Sequence, residues 1–481
     1  MKEYAVTINQ NINQQLLEHL LAIEGQEDLC FATYLPSSGK QRTTAVLQEL
    51  ILPLPGERNL HGNVSFTAAY LERALAVAAS DKRGLAFLHS HVGPGWQGMS
   101  DDDVVAEKSR IAPSALAVTE FPLVGLTAGT DGAWSARYWI KDAFEKRKYN
   151  RKWCDVVKVV GKSFLTTFCD HQLKPRIDTV TQLRTISAWG QAKQEDLSRL
   201  RIAIVGLGSV GSMIAEILAR IGITRFVLID FDSVEQKNLD RLTNVFRHDI
   251  GKSKVSVVAQ AIRRSSSASA IDITPVEYSI CEEQGFTASL DCDLIFSCVD
   301  RPWPRQVQNF IAFAHLIPVI DGGILVRTNH NNTLMKGADW RAHIAGHSHM
   351  CLECIGQYSS ERAKLEREGY IDDPLYLKDY KGPKFDFHEN VFAFSSHLAS
   401  SLVLQFLSYF IAPSGVSDVG RQMYHFTTGT LDTEANDECK SNCFFPTILG
   451  RTHYTDVVVT GPHPAAQAKR AQRRVVQSIN S

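Results

Sequence analysis

The chain of 481 residues is 44% hydrophobic and 21% charged, with a formal net charge of -1. Its length exceeds one ordinary core and implies two or three domains, and its near-neutral balance carries no electrostatic footprint for nucleic acid. No apolar run of about 18 residues reads as a membrane span, and the start MKEYAVTINQNINQQ has no apolar signal core, so a cytoplasmic protein without a membrane partner is expected.

In chain order, residues 1–140 alternate short apolar runs (LCFATYL, TAVLQELILPL, GLAFLHSH, FPLVGLTAG) with one helical stretch, FTAAYLERALAVAAS. That pattern predicts a small α/β domain. Residues 141–195, with KDAFEKRKYNRKW and TQLRTISAWGQAKQEDLSRL, read as a charged, mostly helical connector. After RLRIAIVG the pattern becomes strand, glycine turn, helix, strand, which predicts a doubly wound α/β domain over 196–450. Its later part carries a cysteine pair at each end and one apolar helix, VFAFSSHLASSLVLQFLSYFI. Residues 451–481 read as a tail whose basic run KRAQRR (469–474) is a solvated chain end. Ten cysteines in a reducing compartment do not suggest a disulfide framework, so their spacing carries the information.

The stretch HSHVGPGWQGMSDDD (89–103) holds two histidines and three consecutive acids. GLAFLHSH reads as a strand, and its i, i+2 spacing puts His89 and His91 on one face. Ser100 is the expected N-cap of the following helix, with Asp101, Asp102 and Asp103 in its first turn. A carboxylate returning from that turn would make a two-histidine, one-carboxylate set with an open fourth position, as in a catalytic zinc site. The alternative is a capped polar turn. The motif His89-Ser-His91 followed by Ser100-x-x-Asp103 resembles that of the JAB/MPN (JAMM) metallopeptidases, over residues 1–140. One more residue separates His91 from Ser100 than that family pattern has, and valine follows His91 where proline is usual. The resemblance implies zinc on His89, His91 and Asp103, Ser100 stabilising an oxyanion, and a glutamate as general base. Glu27, just before an apolar strand, fits that base better than Glu49.

The second motif, RIAIVGLGSVGSMIAEILARIG, is a strand running into Gly206, Gly208 and Gly211 and then a helix. Glycine lets the backbone approach phosphates, and the helix N-terminus offers free amides. Asp230, about 20 residues on, suits ribose hydroxyls, and a nicotinamide-dependent dehydrogenase is an open reading of this motif alone. The further segments LIDFDSVEQKNLDRLTN, GKSKV and FSCVDRPWPRQVQN resemble the adenylating domain of the ThiF/MoeB and ubiquitin-activating superfamily, over residues 180–445. That resemblance implies ATP and Mg²⁺. Asp230 would lie at the ribose, Asn238, Arg241 and Lys254 at the phosphates, Asp300 at magnesium, and Asp232 and Arg305 in the same cofactor-binding site.

The same resemblance makes Arg184 a finger reaching into a partner subunit's site, in a homodimer, although threonine follows it where glutamine is usual. Four thiolates can close a structural zinc tetrahedron, and MoeB-like proteins carry two cysteine pairs where this chain has Cys351/Cys354 and Cys439/Cys443. Tyr370 to Pro383 is placed as the crossover segment. Residues 355–438 contain no cysteine for a thioester, which favours an enzyme that stops at the adenylate.

Three functions follow from the resemblances. The first is a bifunctional enzyme that adenylates the C-terminal glycine of a ubiquitin-like protein and cleaves such proteins with zinc, with a conjugating-enzyme-like protein as a further partner, as in bacterial antiviral defence systems. The second is sulfur-carrier activation for cofactor or metabolite biosynthesis. The third is an inactive JAB domain that docks the protein tail.

Overall fold

A computed structural model describes residues 2–61, 63–145, 147–329, 334–372, 390–435 and 438–480. The chain forms two compact units. One is Met1–Lys174 with Ala314–Leu316 and Ile448–Thr455; the other is Pro175–Phe313 with Ile317–Thr447 and Asp456–Ser481.

The first unit is built on β1 (Glu3–Asn9), β2 (Leu29–Ser38), β3 (Arg42–Ile51), β4 (Arg58–His61), β5 (Asn63–Phe66), β6 (Gly84–Ser90), β7 (Leu123–Ala128), β8 (Trp134–Lys141), β9 (Tyr149–Trp153), β10 (Val156–Val160) and β11 (Phe164–Phe168). Nine of these make one mixed sheet in the order β11-β10-β1-β3-β2-β6-β7-β8-β9, and β4 and β5 form a separate hairpin. Side chains alternate across the sheet, so it has a core on each face. Cys30, Ala32, Ala86 and Leu88 pack with Leu16 and Leu20 of α1 (Gln10–Leu20). Leu29, Phe31 and Phe87 pack with Tyr70 and Ala74 of α2 (Ala68–Ser80). Ala112 and Ala115 of α4 (Ala112–Thr119) join the second core, and α3 (Asp101–Ala106) precedes a π-helical turn at Glu107–Ile111.

The expected helical connector at 141–195 is corrected by this sheet. Residues 149–168 contribute three strands, and the unit runs on to Lys174. VVKVV is a β-branched run with all five residues buried, which suits a strand between two neighbours. The charges of KDAFEKRKYNRKW obscured that pattern. Among the described residues of that segment, α-helix is confined to α5 (Leu183–Trp189) and the start of α6 (Gln191–Arg199).

The second unit has β12 (Arg201–Val205), β13 (Arg225–Ile229), β14 (Asp272–Val276), β15 (Leu294–Ser297), β16 (Val319–Thr328), β17 (Met335–Ala345), β18 (Arg421–His425) and β19 (Thr430–Glu434). Their order is β14-β13-β12-β15-β16-β17-β18-β19. The first five are parallel and the last three antiparallel. All five residues of RIAIV are buried, as expected for a strand covered on both faces. The helices α7 (Ser209–Ile221), α8 (Lys254–Ser265), α9 (Glu283–Ser289) and α10 (Pro302–Ala314) alternate with these strands.

The helix Phe392–Ile411 is long and apolar enough, by length and composition, to cross a membrane. In this unit it packs on α7, β16 and β17 and buries Phe394, Leu398, Leu402 and Phe406. One further expectation, that of the tail at 451–481, is corrected here. The tail 451–481 is also structured: Ile448–Thr455 belongs to the first unit, and Pro464–Asn480 forms a C-terminal helix.

In the first unit the π turn aims Glu107, with a fully buried side chain, at fully buried Arg137 of β8. Arg137 Nε donates to Glu107 Oε2 at 3.0 Å, Nη2 donates to Oε1, and Trp139 Nε1 adds a bond of 2.6 Å. Gly125 leaves room for the pair, because a Cβ there would lie 2.4 Å from Glu107 Oε2. Removing one partner strands a buried charge. Arg137→Met is therefore expected to destabilise the first unit by about 3–5 kcal/mol, read as an earlier urea transition of tryptophan fluorescence.

Candidate functional site

The first cluster lies at the end of β6. The antiparallel register pairs Leu29 with His89, so His89 faces the α2 and α4 side while Ser90 faces α1. Ser90 Oγ donates to the Leu20 carbonyl at 2.9 Å and accepts from the Asp28 amide at 3.0 Å. His89 Nε2 and His91 Nε2 are 3.2 Å apart, and Asp103 reaches both, Oδ2 at 3.2 Å from His91 and Oδ1 at 3.4 Å from His89. Thr127 Oγ1 lies 3.3 Å from His89 Nε2 and accepts from Arg137 Nη1 at 2.5 Å, which links the cluster to the buried Glu107 pair.

The extra residue between His91 and Ser100 is absorbed by the turn. Ser100 caps α3, its Oγ accepting from the Asp103 amide at 3.1 Å while Asp103 Oδ2 accepts from the Ser100 amide at 2.8 Å. Capping and cluster are thus one arrangement rather than alternatives. Burial pushes the Asp103 carboxyl up, but His89, His91 and the Ser100 amide together hold it far below the usual carboxylate range. Two imidazole nitrogens and a carboxylate converging on one point suit a divalent zinc with an open position. Asp101 and Asp102 lie outside this set.

Backbone pairing continues past Leu29, since the Ser90 amide donates to the Asp28 carbonyl at 3.0 Å. Glu27 lies two residues before Leu29, the first residue of β2 and the partner of His89. Glu49 lies elsewhere: it pairs with Arg83 at 3.2 Å, just before the start of β6.

The second cluster lies where the parallel strands end. Val205 is level with Ile229 and Ser297, and Ser297 with Asp321. The turn after β12 brings Gly206 to φ +88°, and a Cβ on Gly211 would lie 1.9 Å from the Gly206 carbonyl oxygen. Only glycine fits these two positions. Gly208 is the N-cap of α7 and brings no side-chain cap, so the first-turn amides face outward. Asp230 Oδ2 accepts from the Leu207 amide and Oδ1 from the Asp232 amide, each at 2.7 Å. Each oxygen keeps a lone pair for a hydroxyl donor.

Lys254 Nζ donates to Asp232 Oδ2 at 2.9 Å. Burial disfavours both charges, yet Lys254 and Lys469 hold the Asp232 carboxyl below its ordinary range, and Asp230 and Asp232 hold the Lys254 ammonium above its own. Asp300 is exposed in the loop between β15 and α10. The other expected contacts are locally engaged. Asn238 is buried, its Oδ1 accepting from the Glu235 amide at 2.9 Å, and Arg241 pairs with Asp240 at 2.8 Å. Arg305 donates to the carbonyls of Gly322 and Gln357 and faces Asp321. Arg184 is exposed on α5.

Cys351, Cys354, Cys439 and Cys443 form the third cluster, with sulfurs within 4.8 Å of one another. Cys351 Sγ lies 3.6 Å from Cys443 Sγ, and the Cys351 amide donates to Cys439 Sγ at 3.3 Å. Cys439 and burial push the Cys351 thiol well up. Sulfurs this close need a cation to become thiolates, which is the donor set of a structural zinc. The expected crossover segment, Tyr370 to Pro383, lies outside the described residues beyond Asp372.

Sequence reasoning missed Lys469, which donates to Asp232 Oδ1 at 2.5 Å. Far from being solvated, Arg470 pairs with Glu282 and Arg473 with Glu277. The signal was the spacing of 469, 470 and 473, which one helical face can present.

The sequence profile of the ThiF family matches residues 180–430, just over half of the chain. The molybdopterin-synthase adenylyltransferase of Escherichia coli (strain K12) is 29% identical over 182 residues, which are 38% of this chain and 69% of that enzyme. The ubiquitin-like modifier-activating enzyme 5 of Oryza sativa subsp. japonica is 39% identical over 124 residues, 22% of this chain and 28% of that enzyme. Among solved structures, E. coli MccB with MccA-N7isoASN has a TM-score of 0.41 and 18% identity, over 56% of this chain and 77% of that one.

Full-length protein isolated without chelators is expected to carry zinc at both the histidine–aspartate and the four-cysteine clusters. Elemental analysis should show His89→Ala with His91→Ala losing one equivalent while the equivalent held by the four cysteines stays.

Proposed function

Because this chain belongs to the ThiF family, we propose that it is an ATP-dependent adenylyltransferase that activates the C-terminal glycine of a ubiquitin-like or sulfur-carrier protein. The observation that carries this reading is the row at the strand ends: a glycine turn at an open helix N-terminus, Asp230 beside it, and Lys254 held by Asp232. Asp230 would accept from the ribose hydroxyls. The amides of α7 and the ammonium of Lys254 would draw electron density from the phosphates. Asp300 would hold Mg²⁺, which when bound offsets charge on the leaving group.

The carrier's carboxylate oxygen forms a bond to the α-phosphorus, the bond to the β-phosphate's bridging oxygen breaks, and pyrophosphate leaves with that electron pair. Asn238 and Arg241 would turn toward the phosphates by exchanging their local partners. Arg184, exposed on α5, would supply a further cation to a second copy's site in a homodimer. Absence of cysteine from 355–438 favours the acyl-adenylate as end product, as in sulfur-carrier activation.

For the first unit the reading is a JAB/MPN-type zinc peptidase acting at the bond after such a protein tail. It is supported by the convergence of His89, His91 and Asp103. Zinc, when bound, acidifies a water and polarises a carbonyl. Glu27 would take the proton of the attacking water and later give it to the leaving amine. Ser100 Oγ, accepting from the Asp103 amide, keeps its own hydrogen for the developing oxyanion. Cleavage frees the carboxylate that the second unit activates, so the two units would act on the same kind of protein end.

Asp300→Ala is expected to lower ATP–pyrophosphate exchange, driven by ubiquitin-like and sulfur-carrier proteins, by roughly 10²–10³. Glu27→Gln is expected to lower hydrolysis of a C-terminally extended carrier by about 10²–10⁴ and to leave the exchange unchanged. Unaltered exchange in Asp300→Ala would sink the adenylation reading.

A further inference from the structure

The C-terminal helix Pro464–Asn480 sets its basic face against the two loops that border the ribose side of the proposed nucleotide site. Its approach is fixed on both sides. Trp303 Nε1 donates to the Val459 carbonyl and the Gly461 amide to the Cys281 carbonyl, at 2.8 and 2.9 Å, and the His463 ring lies 5.1 Å from that of Phe231. On the loop after β14, Arg470 makes a bidentate pair with Glu282 at 2.6 and 2.7 Å and lies over the Tyr278 ring, while Arg473 reaches Glu277. On the loop after β13, Arg473 Nη1 donates to the Phe231 carbonyl at 2.6 Å and to Ser233 Oγ at 3.0 Å. These contacts leave Lys469 with its ammonium 2.5 Å from Asp232 Oδ1, on the carboxylate whose other oxygen takes Lys254.

The charges then balance in a particular way. Glu282 is matched by Arg470, Glu277 by Arg473, and Glu235 by Lys237 at 2.7 Å. Asp230 and Asp232 remain as two negative charges, and Lys254 and Lys469 as two positive ones. Without Lys469, the charge of Lys254 would be neutralised by Asp232, and Asp230 would be left to face a polyanion. We propose that Lys469 is a positioning residue for nucleotide binding: by occupying Asp232 from the C-terminal helix it leaves the charge of Lys254 available to the phosphates. This rests on the adenylation reading given above.

The ligand series follows from the argument. Loss of one positive charge in a half-buried site weakens a ligand in proportion to its phosphate charge. In isothermal titration of the full chain, Lys469→Gln is expected to weaken Mg·ATP roughly three- to tenfold, AMP less, and uncharged adenosine not at all, while Lys469→Arg retains wild-type affinity for all three. Equal weakening of ATP and adenosine would mean that the helix acts only by packing, and would overturn the proposal, as would unchanged ATP affinity. A wild-type chain that binds none of the three would overturn the adenylation reading, and this inference with it.

Discussion

Parallel pairing of β14, β13, β12 and β15 ends these strands at one level, beside Asp321 of the longer β16, and the groups of the second cluster hang from that edge. Because Val205 is level with Ile229 and Ser297, the glycine turn, Asp230 and the loop to Asp300 leave the sheet side by side. A register slip of one residue would invert the facing of every side chain on the strand and part the glycine turn from Asp230. Steric exclusion reinforces the pairing: Gly206 would carry a Cβ 2.5 Å from the Cys298 carbonyl oxygen, so β12 and β15 meet in their turns only through glycine. Ligands of open α/β sheets bind at this carboxyl edge for that reason.

The first unit solves a comparable problem with an antiparallel register. Leu29 opposite His89 fixes which face the histidines take, and the capping box of α3 returns Asp103 to them. Behind His89 stands a chain of buried polar groups, Thr127, Arg137 and Glu107, each hydrogen-bonded to the next. A buried pair of this kind contributes little net stability, but it fixes side chains that would otherwise sample several rotamers. His89 is thereby held from the core, while Asp103 is held by the cap of α3.

Much of this was legible in the sequence where a motif is local. The i, i+2 histidines, the serine three residues before Asp103 and the glycine turn each encode their own geometry through strand period, capping and backbone freedom. What was not legible depends on distant partners. VVKVV lies in a segment whose charges suggest solvent, and only the neighbours β1 and β11 make it a buried strand. Arg305 fits an adenylating motif by position, but its partner Asp321 comes from the next strand, which no local motif names. KRAQRR reads as a solvated end because its acids, Asp232, Glu277 and Glu282, lie about 190 to 240 residues earlier.

In the reaction proposed above, the carboxyl edge of the second unit joins a protein carboxylate to the α-phosphate of ATP. The most direct measurement incubates the full chain with ubiquitin-like and sulfur-carrier proteins ending in glycine, using ATP labelled in parallel at the α- or the γ-phosphate. Acid-stable capture of α-label, and no γ-label, is expected on a carrier bearing a free C-terminal glycine, and none on a carrier whose terminus is amidated. Transfer of γ-label, or α-label indifferent to the terminal carboxylate, would contradict it.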